Sequence, residues 1–484
     1  MASSKYSFLT INTILLLNVT STTAYAGGFQ MHEQNGSVGD VHAGYAVDND
    51  DASVNFYNPA ALTDILEAKT TTSAVTVANS VSFKGSTSLE ANPKNTYAPV
   101  VASGRASTEG LHVIPSVHYA TPINNQFAFG LSVVSPFAAE LSWSKKAFTR
   151  YNSTTNGIKA VNFSPSFAYK LNEQLSFGLG GDAQYVSMQI EKIVGTNFNP
   201  MPPYPMPLKD LDSEVSNNLS HTGFGWHTGV LWKPLDSTKF GFNYRSGINH
   251  QASGTSTLKG KLAGSYLSPS DKKKNKSKNL KAVIKIPQSF AFSAQFTPIQ
   301  DWSFVSTAIY TNWAVVRSFD LRNTPTAFTD PYTEELIFSN LVSTPLGLRD
   351  TYTFLNGIHW NYSDQVKLKA GLGFDQTPTS NHIRDLKMPD GNRYLFGLGA
   401  NYKYSHDLNF EFGWMYVLIN KTKISNSSSI SETEIDPSLG IFNPGEKNDI
   451  HGHAKGSAHV IGLQFTLNTD NIYGYAHRRM STYS

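Results

Sequence analysis

From about residue 67 onward the chain falls into strand-length segments whose apolar residues recur at every second position. Leu175, Phe177, Leu179, Gly181, Ala183 and Tyr185 share one face, while Ser176, Gly178, Gly180, Asp182 and Gln184 share the other. Leu408, Phe410, Phe412, Trp414, Tyr416 and Leu418 do the same against Asn409, Glu411 and Gly413. Ile461, Leu463, Phe465 and Leu467 repeat it against Gly462, Gln464 and Thr466. A period of two is the side-chain period of a β-strand with different surroundings on its two faces. No apolar run reaches the roughly 18 residues that would cross a bilayer as a helix.

A soluble sandwich alternates as well, so the choice between sandwich and membrane barrel rests on other features. The chain opens with Lys5, an apolar kernel at Ile14, Leu15, Leu16 and Leu17, and the small-x-small triplet Ala24-Tyr25-Ala26. This pattern is that of a secretory signal peptide over residues 1–26. Tyr, Trp and Phe recur at segment ends, where outer-membrane barrels carry aromatic girdles. Short turns at 121–126, 171–174, 234–238, 298–301 and 405–407 alternate with long polar loops, the asymmetry of such barrels. The expected fold is all-β, a transmembrane antiparallel barrel of about 14 strands over residues 67–467. Strands are expected to begin near residues 67, 111, 126, 157, 174, 221, 237, 280, 301, 349, 364, 391, 407 and 456. A C-terminal tail, 468–484, follows.

Residues 27–66 do not alternate. Gly36, Gly39 and Gly44 are followed by Asp48-Asn49-Asp50-Asp51 and by Asn55-Phe56-Tyr57-Asn58-Pro59-Ala60-Ala61-Leu62. Glycines permit tight irregular packing, and a barrel this wide leaves a lumen that wall side chains do not fill. An N-terminal plug is therefore expected. The acidic run lacks the spacing of a calcium loop and is read as helix-capping carboxylates.

The stretch Gly28-Phe29-Gln30, then Asp51-Ala52-Ser53 and Asn55-Phe56-Tyr57-Asn58-Pro59-Ala60, resembles the start of the FadL/TodX family. Ile114-Pro115-Ser116, Asn162-Phe163-Ser164-Pro165-Ser166, Phe177-Gly178-Leu179-Gly180, Tyr244-Arg245-Ser246, Ile286-Pro287-Gln288-Ser289, Thr311-Asn312-Trp313 and Lys387–Arg393 continue the resemblance. It implies a fourteen-stranded outer-membrane transporter for long-chain fatty acids or other hydrophobic compounds. It also implies a plug, called the hatch, holding Phe29, Asn58, Pro59 and Ala60, and a kinked third strand that opens the wall sideways. The tail beyond Leu467 departs from the family's terminal aromatic strand end.

Pro136, followed by Phe137, lies within the expected third strand. Proline donates nothing to a ladder, so either the strand kinks there or it ends at Ser135. Two expected external loops are rich in apolar residues: one holds Met201, Tyr204, Met206 and Leu208, the other Leu258, Leu262, Tyr266 and Leu267. They are candidates for ligand capture, or for packing on each other. Arg150, Arg245 and Arg317 are candidates to hold a carboxylate head group. The Lys-rich run 271–278 is read as an external loop that touches lipopolysaccharide, attracts anionic substrate, or is simply solvated. His451 and His453 are read as loop residues, with no metal site.

Composition closes several other routes. Lys plus Arg number 39 and Asp plus Glu 36, a net charge of +3, without the basic excess of a nucleic-acid binder. Cys is absent, so no disulfide, thiolate metal site or Cys nucleophile exists. No nucleotide-binding loop or cofactor motif occurs. The chain reads as a passive transporter and not an enzyme. Its expected partners are a hydrophobic small molecule, outer-membrane lipid and lipopolysaccharide, and the outer-membrane assembly machinery. An aromatic-hydrocarbon channel and an adhesin or phage receptor are the alternatives.

Overall fold

The structure is a computed structural model that describes residues 30–91, 100–195, 212–263, 274–325, 338–339, 341–430, 433–436, 441–443 and 446–469. The expected signal peptide, Phe29, Met201, Tyr204, Met206, Leu208, Tyr266 and nearly all of the tail lie outside these residues.

Sixteen strands join one antiparallel sheet. They are β1 (Lys69–Ala91), β2 (Val100–Pro122), β3 (Phe127–Ser142), β4 (Thr155–Lys170), β5 (Leu175–Val194), β6 (Ser213–Leu235), β7 (Thr238–Arg245) and β8 (Ile248–Lys259). Then come β9 (Lys274–Ile286), β10 (Ser289–Ile299), β11 (Trp302–Thr311), β12 (Thr351–Asn361), β13 (Val366–Asp375), β14 (Arg393–Lys403), β15 (Leu408–Ile430) and β16 (Glu446–Asn468). β7 and β8 are successive parts of one wall strand interrupted at Ser246-Gly247, and β9 and β10 are parts of another interrupted at Pro287-Gln288. The wall thus has fourteen positions. β1 pairs with both β2 and β16, and the β5–β6 ladder shuts the ring. Closure is what lets a sheet sit in hydrocarbon, because it leaves no open edge of unpaired amides.

The alternation is inverted relative to a soluble protein. Phe177, Leu179, Phe224, Leu372, Leu398, Phe412 and Leu463 are exposed, while Ser176, Asp182, Gln184, Glu411 and Gln464 are buried. Apolar side chains outside and polar ones inside define a membrane wall. Aromatic contacts cluster at two heights. Trp232–Phe240 and Trp302–Trp360 stack near the short turns, with ring centroids 5.4 and 5.3 Å apart. Tyr244–Phe290 and Tyr310–Tyr352 meet nearer the long loops, at 4.7 and 5.5 Å. Along β11 these belts are eight residues apart, about 26 Å of strand, a fair match to the hydrocarbon band of an outer-membrane barrel. The short turns close on side-chain acceptors: Asn124 Oδ1 accepts from the amides of Gln126 and Phe127, and Asn172 Oδ1 from those of Gln174 and Leu175.

Strand ends at the short turns fall within a few residues of expectation, whereas the far ends run longer. β2 begins at Val100 rather than 111, β6 at Ser213 rather than 221, β9 at Lys274 rather than 280, and β16 at Glu446 rather than 456. Beyond the hydrocarbon the ladders continue, but no apolar face is required there, so the alternation that marks the strands fades. Three expectations change accordingly. Lys274, Lys276 and Lys278 belong to β9 and not to a loop. His451 and His453 sit on β16. Leu258 sits on β8.

Residues 30–66 lie inside the ring and touch the wall on every side. Ala52 donates to Thr71 Oγ1 on β1, Gly44 to Thr307 Oγ1 on β11, and Gly36 to Gln464 Oε1 on β16. Inward-facing wall glycines are the seats. A Cβ on Gly371 would collide with the Asp40 backbone, one on Gly178 with Pro59 and Ala60, and one on Gly241 with Ala46. On the lumenal side Gly39 fits against Gly399 in the same way. Gly371→Val should leave the wall closed but displace the segment, because overpacking here meets backbone and not a flexible side chain. The expected cost is about 3 kcal/mol. Protease sensitivity of residues 30–66 in isolated membranes, with the heat-modifiable gel shift of the barrel unchanged, checks this.

Candidate functional site

The β2–β3 ladder opens well before either strand ends, and the opening lies at Pro136. β3 pairs with β2 only from Val117↔Val133 to Pro122↔Ala128. Above Val133 the two strands part, although both continue. The β3–β4 register also breaks between Val134 and Phe137. The strand therefore runs through Pro136 to Ser142 with a bulge at Ser135-Pro136. The freed backbone is taken up by the lumenal segment. Met31 N donates to Pro136 O at 2.8 Å. Gln34 clips Ser135 from both sides, its Oε1 accepting from Ser135 N at 2.7 Å and its Nε2 donating to Ser135 O at 2.9 Å. Gln30 makes an isolated bridge to Phe137.

An apolar wall rises from this seam. Phe137, Ile158, Leu280, Ile284 and Ile286 form one buried cluster with Trp313, Phe319, Leu321 and Met388 of the long loops. Phe137 meets Trp313 edge-on at 6.3 Å. At the upper end a pocket opens between Phe319, Leu321, Leu346, Ile383, Met388 and Met188. At the lower end a second cavity is lined by Pro136, Phe137, Tyr45, Arg245, Ile248 and Ile286. The upper pocket belongs to the loops 312–350 and 376–392, which sequence reasoning did not single out. Their apolar residues are scattered, and the loop 376–392 is folded inward by buried arginines. Arg393 bonds Asp375 at 2.7 Å and Asp390 at 2.5 Å, and Arg384 donates to Asp390 O and Thr379 Oγ1. Of the expected capture residues that are described, Leu262 is buried in a local cluster with Leu258 and Ala263.

The three candidate arginines have different surroundings. Arg150 is paired with Asp212 at 2.7 Å and lies over the Tyr151 ring. Arg317 is exposed after β11, where its carbonyl accepts from Leu346 and Gly347. Arg245 stands at the lower cavity, over the Phe56 ring at 4.2 Å. It donates to Asp182 at 2.5 Å and to Phe56 O at 2.9 Å. Asp182 in turn accepts from Ser164 and faces His227 Nδ1 at 2.9 Å, while His227 Nε2 lies 2.8 Å from Ser166 Oγ. Ser166, His227 and Asp182 thus have the spacing of a hydrolytic triad. Ser166 and His227 are nevertheless fully buried, and Asp182 nearly so. A Cβ at Gly180 would strike both His227 and Ser166, so no substrate carbonyl fits beside the hydroxyl. The triad works as a structural network that holds Arg245.

Asn58, Pro59 and Ala60 bolt the segment down. Asn58 Nδ2 donates to Ala46 O at 2.6 Å and to Val230 O on β6 at 3.1 Å, and its Oδ1 accepts from Ala60 N at 3.1 Å. Pro59 and Ala60 rest on Gly178. Asn55 reaches Ser132 and Ser164 on β3 and β4. The acidic run is not helix capping. Asp50 pairs with Lys367 at 2.6 Å, Asp51 accepts from Ser53 N and Gln464 Nε2, and Ser53 at the N-cap makes no side-chain cap bond. Asp40 pairs with His359 at 2.7 Å. Burial works against the Asp40 charge, but the His359 hydrogen bond and Lys369 outweigh it and hold its carboxyl below the usual range. Glu33 behaves oppositely. Burial pushes it up to about 7, with Asp375 adding to the rise and backbone hydrogen bonds and Arg393 opposing it.

A plugged, lipid-facing barrel with a lateral seam and an apolar lumen wall is the architecture of an outer-membrane channel for hydrophobic compounds. The chain belongs to the outer membrane protein transport family (OMPP1/FadL/TodX), whose pattern it matches over residues 17–468. It is 24% identical over 428 residues to the long-chain fatty acid transport protein of Salmonella typhi, covering 86% of this chain and 93% of that one. A Pseudomonas aeruginosa FadL homologue superposes with a TM-score of 0.72 at 22% identity, over 91% of this chain and 99% of that one. The Ralstonia pickettii toluene transporter TbuX superposes with a TM-score of 0.54 at 14% identity, over 88% and 97%. The protein is a transport barrel of the bacterial outer membrane.

Because Glu33 is neutral-favouring in the folded state, its contribution is full below about pH 4.5 and is lost as pH rises through about 7. The loss is of order 3 kcal/mol. Glu33→Gln should therefore stabilise the barrel at pH 8 and leave it unchanged at pH 4. Thermal unfolding in detergent micelles at the two pH values checks the sign.

Proposed function

We propose that the protein carries long-chain fatty acids across the outer membrane by passive diffusion. The ligand enters the pocket between Phe319 and Met388, follows the apolar lumen wall, and leaves sideways through the seam at Pro136. The observation that carries this reading is the single buried cluster joining that pocket to Phe137 beside the seam. An acyl chain gains about 0.8 kcal/mol for each methylene it buries, so a continuous apolar wall supports stepwise movement without one deep trap. Arg245 at the lower cavity supports an acidic head group over a neutral hydrocarbon. Similarity to a named fatty acid transport protein over nearly the full length supports the same choice.

In this reading residues 1–26 are a signal peptide that is removed, and residues 27–66 are a hatch. Its N-terminal residues, Phe29 to Gln34, gate the seam. Asn58, Pro59 and Ala60 anchor the hatch while that end moves. In the same reading Met201, Tyr204, Met206, Leu208 and Tyr266 contribute to capture, and Arg150 and Arg317 guide the anionic head group, while Leu262 packs against Leu258 and Ala263. The barrel is inserted by the outer-membrane assembly machinery. A second reading, uptake of aromatic hydrocarbons, has the TbuX likeness in its favour but assigns no task to Arg245.

Expression in bacteria lacking their own outer-membrane fatty-acid transporter should restore uptake of labelled oleate and not of labelled toluene. Toluene uptake alone from a surface-assembled barrel would reverse the choice. Deleting Pro136 alone, the one residue by which β3 exceeds β4 between Val134 and Phe137, should restore the ladder register and cut oleate uptake at least fivefold at equal surface level. Unchanged uptake by that variant would sink the lateral route.

A further inference from the structure

β9 inverts the pattern of the membrane wall. Its buried side carries Leu280, Ala282, Ile284 and Ile286, while Lys274, Lys276, Lys278, Lys281 and Lys285 are exposed on the other side. Below Pro287 the same wall strand turns Phe292 outward and Ala291 and Ser293 inward, as a hydrocarbon-facing strand must. Hydrocarbon does not tolerate an outward lysine, which costs about 2–4 kcal/mol at mid-depth and little near the surface. The reversal therefore places the edge of the hydrocarbon between Phe290, in the upper aromatic belt, and Lys285. Five residues separate them, about 17 Å of tilted strand, so Lys285 stands at head-group height and the others stand above it.

The cations also face one another. Lys259 on β8 is the direct cross-strand partner of Lys274. Arg322 is the direct partner of Lys281, with backbone bonds of 2.9 and 3.2 Å between them. Like charges directly opposite on a sheet are destabilising. Lys274, Lys276 and Lys278 follow one another about 7 Å apart, inside the screening length of physiological salt. Acids close by are engaged elsewhere. Glu214, on the other flank of Lys259, takes Lys145 at 2.5 Å, and Asp320 accepts from Ser318 and Ser343. Among the described residues no ion pair joins any of these seven cations to a carboxylate. By contrast, the lumenal Lys233, Lys367 and Lys369 each have one at 2.6–2.7 Å. Asn249, Gln251, Ser253 and Thr257 lie on the partner strand opposite the ladder and supply further donors.

We propose that the outward face of β8 and β9, with Arg322, is a docking surface for the phosphorylated head group of an outer-leaflet glycolipid. Its phosphates neutralise Lys285 and the Lys281–Arg322 pair, the cations nearest the hydrocarbon, and its acyl chains lie against the aromatic belt at Phe290 and Phe292. A phosphate dianion between two cations replaces repulsion with two charge-assisted bonds. The face lies outside the barrel and takes no part in the lumenal route, so this inference stands independently of the substrate carried.

The test is binding of purified bisphosphorylated lipid A to the purified barrel in neutral detergent, followed by retention on native gels and by the thermal midpoint. The variant K281Q/K285Q/R322Q changes only exposed side chains and should bind at least tenfold more weakly, while K281R/K285R preserves binding. K84Q/K455Q, on the exposed face of β1 and β16, is the control and should bind as the parent does. Unchanged oleate uptake by the glutamine variant confirms a folded barrel. Equal lipid A binding by parent and glutamine variant overturns the proposal. So does equal binding of dephosphorylated lipid A, which would mean that acyl chains alone are held. A midpoint shift from inorganic phosphate as large as that from lipid A overturns it as well, since the face would then be a general anion patch.

Discussion

A backbone amide in hydrocarbon has no water to bond with, and everything else in this molecule follows from that constraint. It forces the sheet into a ring, and it makes any interruption of the ring expensive unless another group supplies the missing partners. The interruption at Ser135-Pro136 is supplied from inside. The Gln34 side chain presents one acceptor and one donor to the amide and carbonyl of Ser135, and Met31 caps the Pro136 carbonyl. A seam and a plug are thus one device: proline breaks the ladder, and the lumenal segment keeps the break satisfied. Displacing Gln34 would leave the amide and carbonyl of Ser135 without these partners.

The wall and its filling are matched by size as well as by hydrogen bonding. Gly178, Gly241 and Gly371 are seats where the two backbones touch, and the ion pairs Asp50–Lys367, Asp64–Lys233 and Asp40–His359 lie between them. The Asp40–His359 pair is nearly buried and the other two are half-buried, and pairs of this kind are weak sources of stability. They orient the segment rather than glue it. The side of the lumen toward β4 to β9 is lined differently, by isoleucine, leucine and alanine.

Much of this was legible in the chain. Strict alternation around Leu175–Tyr185 and Leu408–Leu418, with aromatic ends, marks lipid-facing strands because only one side of each meets hydrocarbon. Proline at 136 in an otherwise regular segment marks the break. The Asn55–Leu62 stretch marks the plug. Other features were not legible. Lys274, Lys276 and Lys278 look like a loop because the chain changes solvent there: above the membrane the outward face is wet, and the apolar residues move to the inside. Phe319, Met388 and Arg245 lie far apart in sequence, and no local pattern announces that the first two line one lumenal cavity and the third another. Asp182, His227 and Ser166 form a triad geometry that only the burial and the crowding at Gly180 identify as structural.

The sequence by itself determined the ring. A period of two with apolar residues on the outer face, an even number of such segments and short turns on one side leave a closed antiparallel barrel as the only arrangement that satisfies every amide in lipid. It also determined where the ring is weakest, since proline lacks the donor a ladder needs. The tertiary structure alone decided what the seam means. The partners of the freed backbone are more than 100 residues away in the chain, and the apolar wall above it is assembled from strands and loops that meet only once the barrel has closed. Local pattern reports the solvent each face meets. It carries no information about which distant side chains share the space inside.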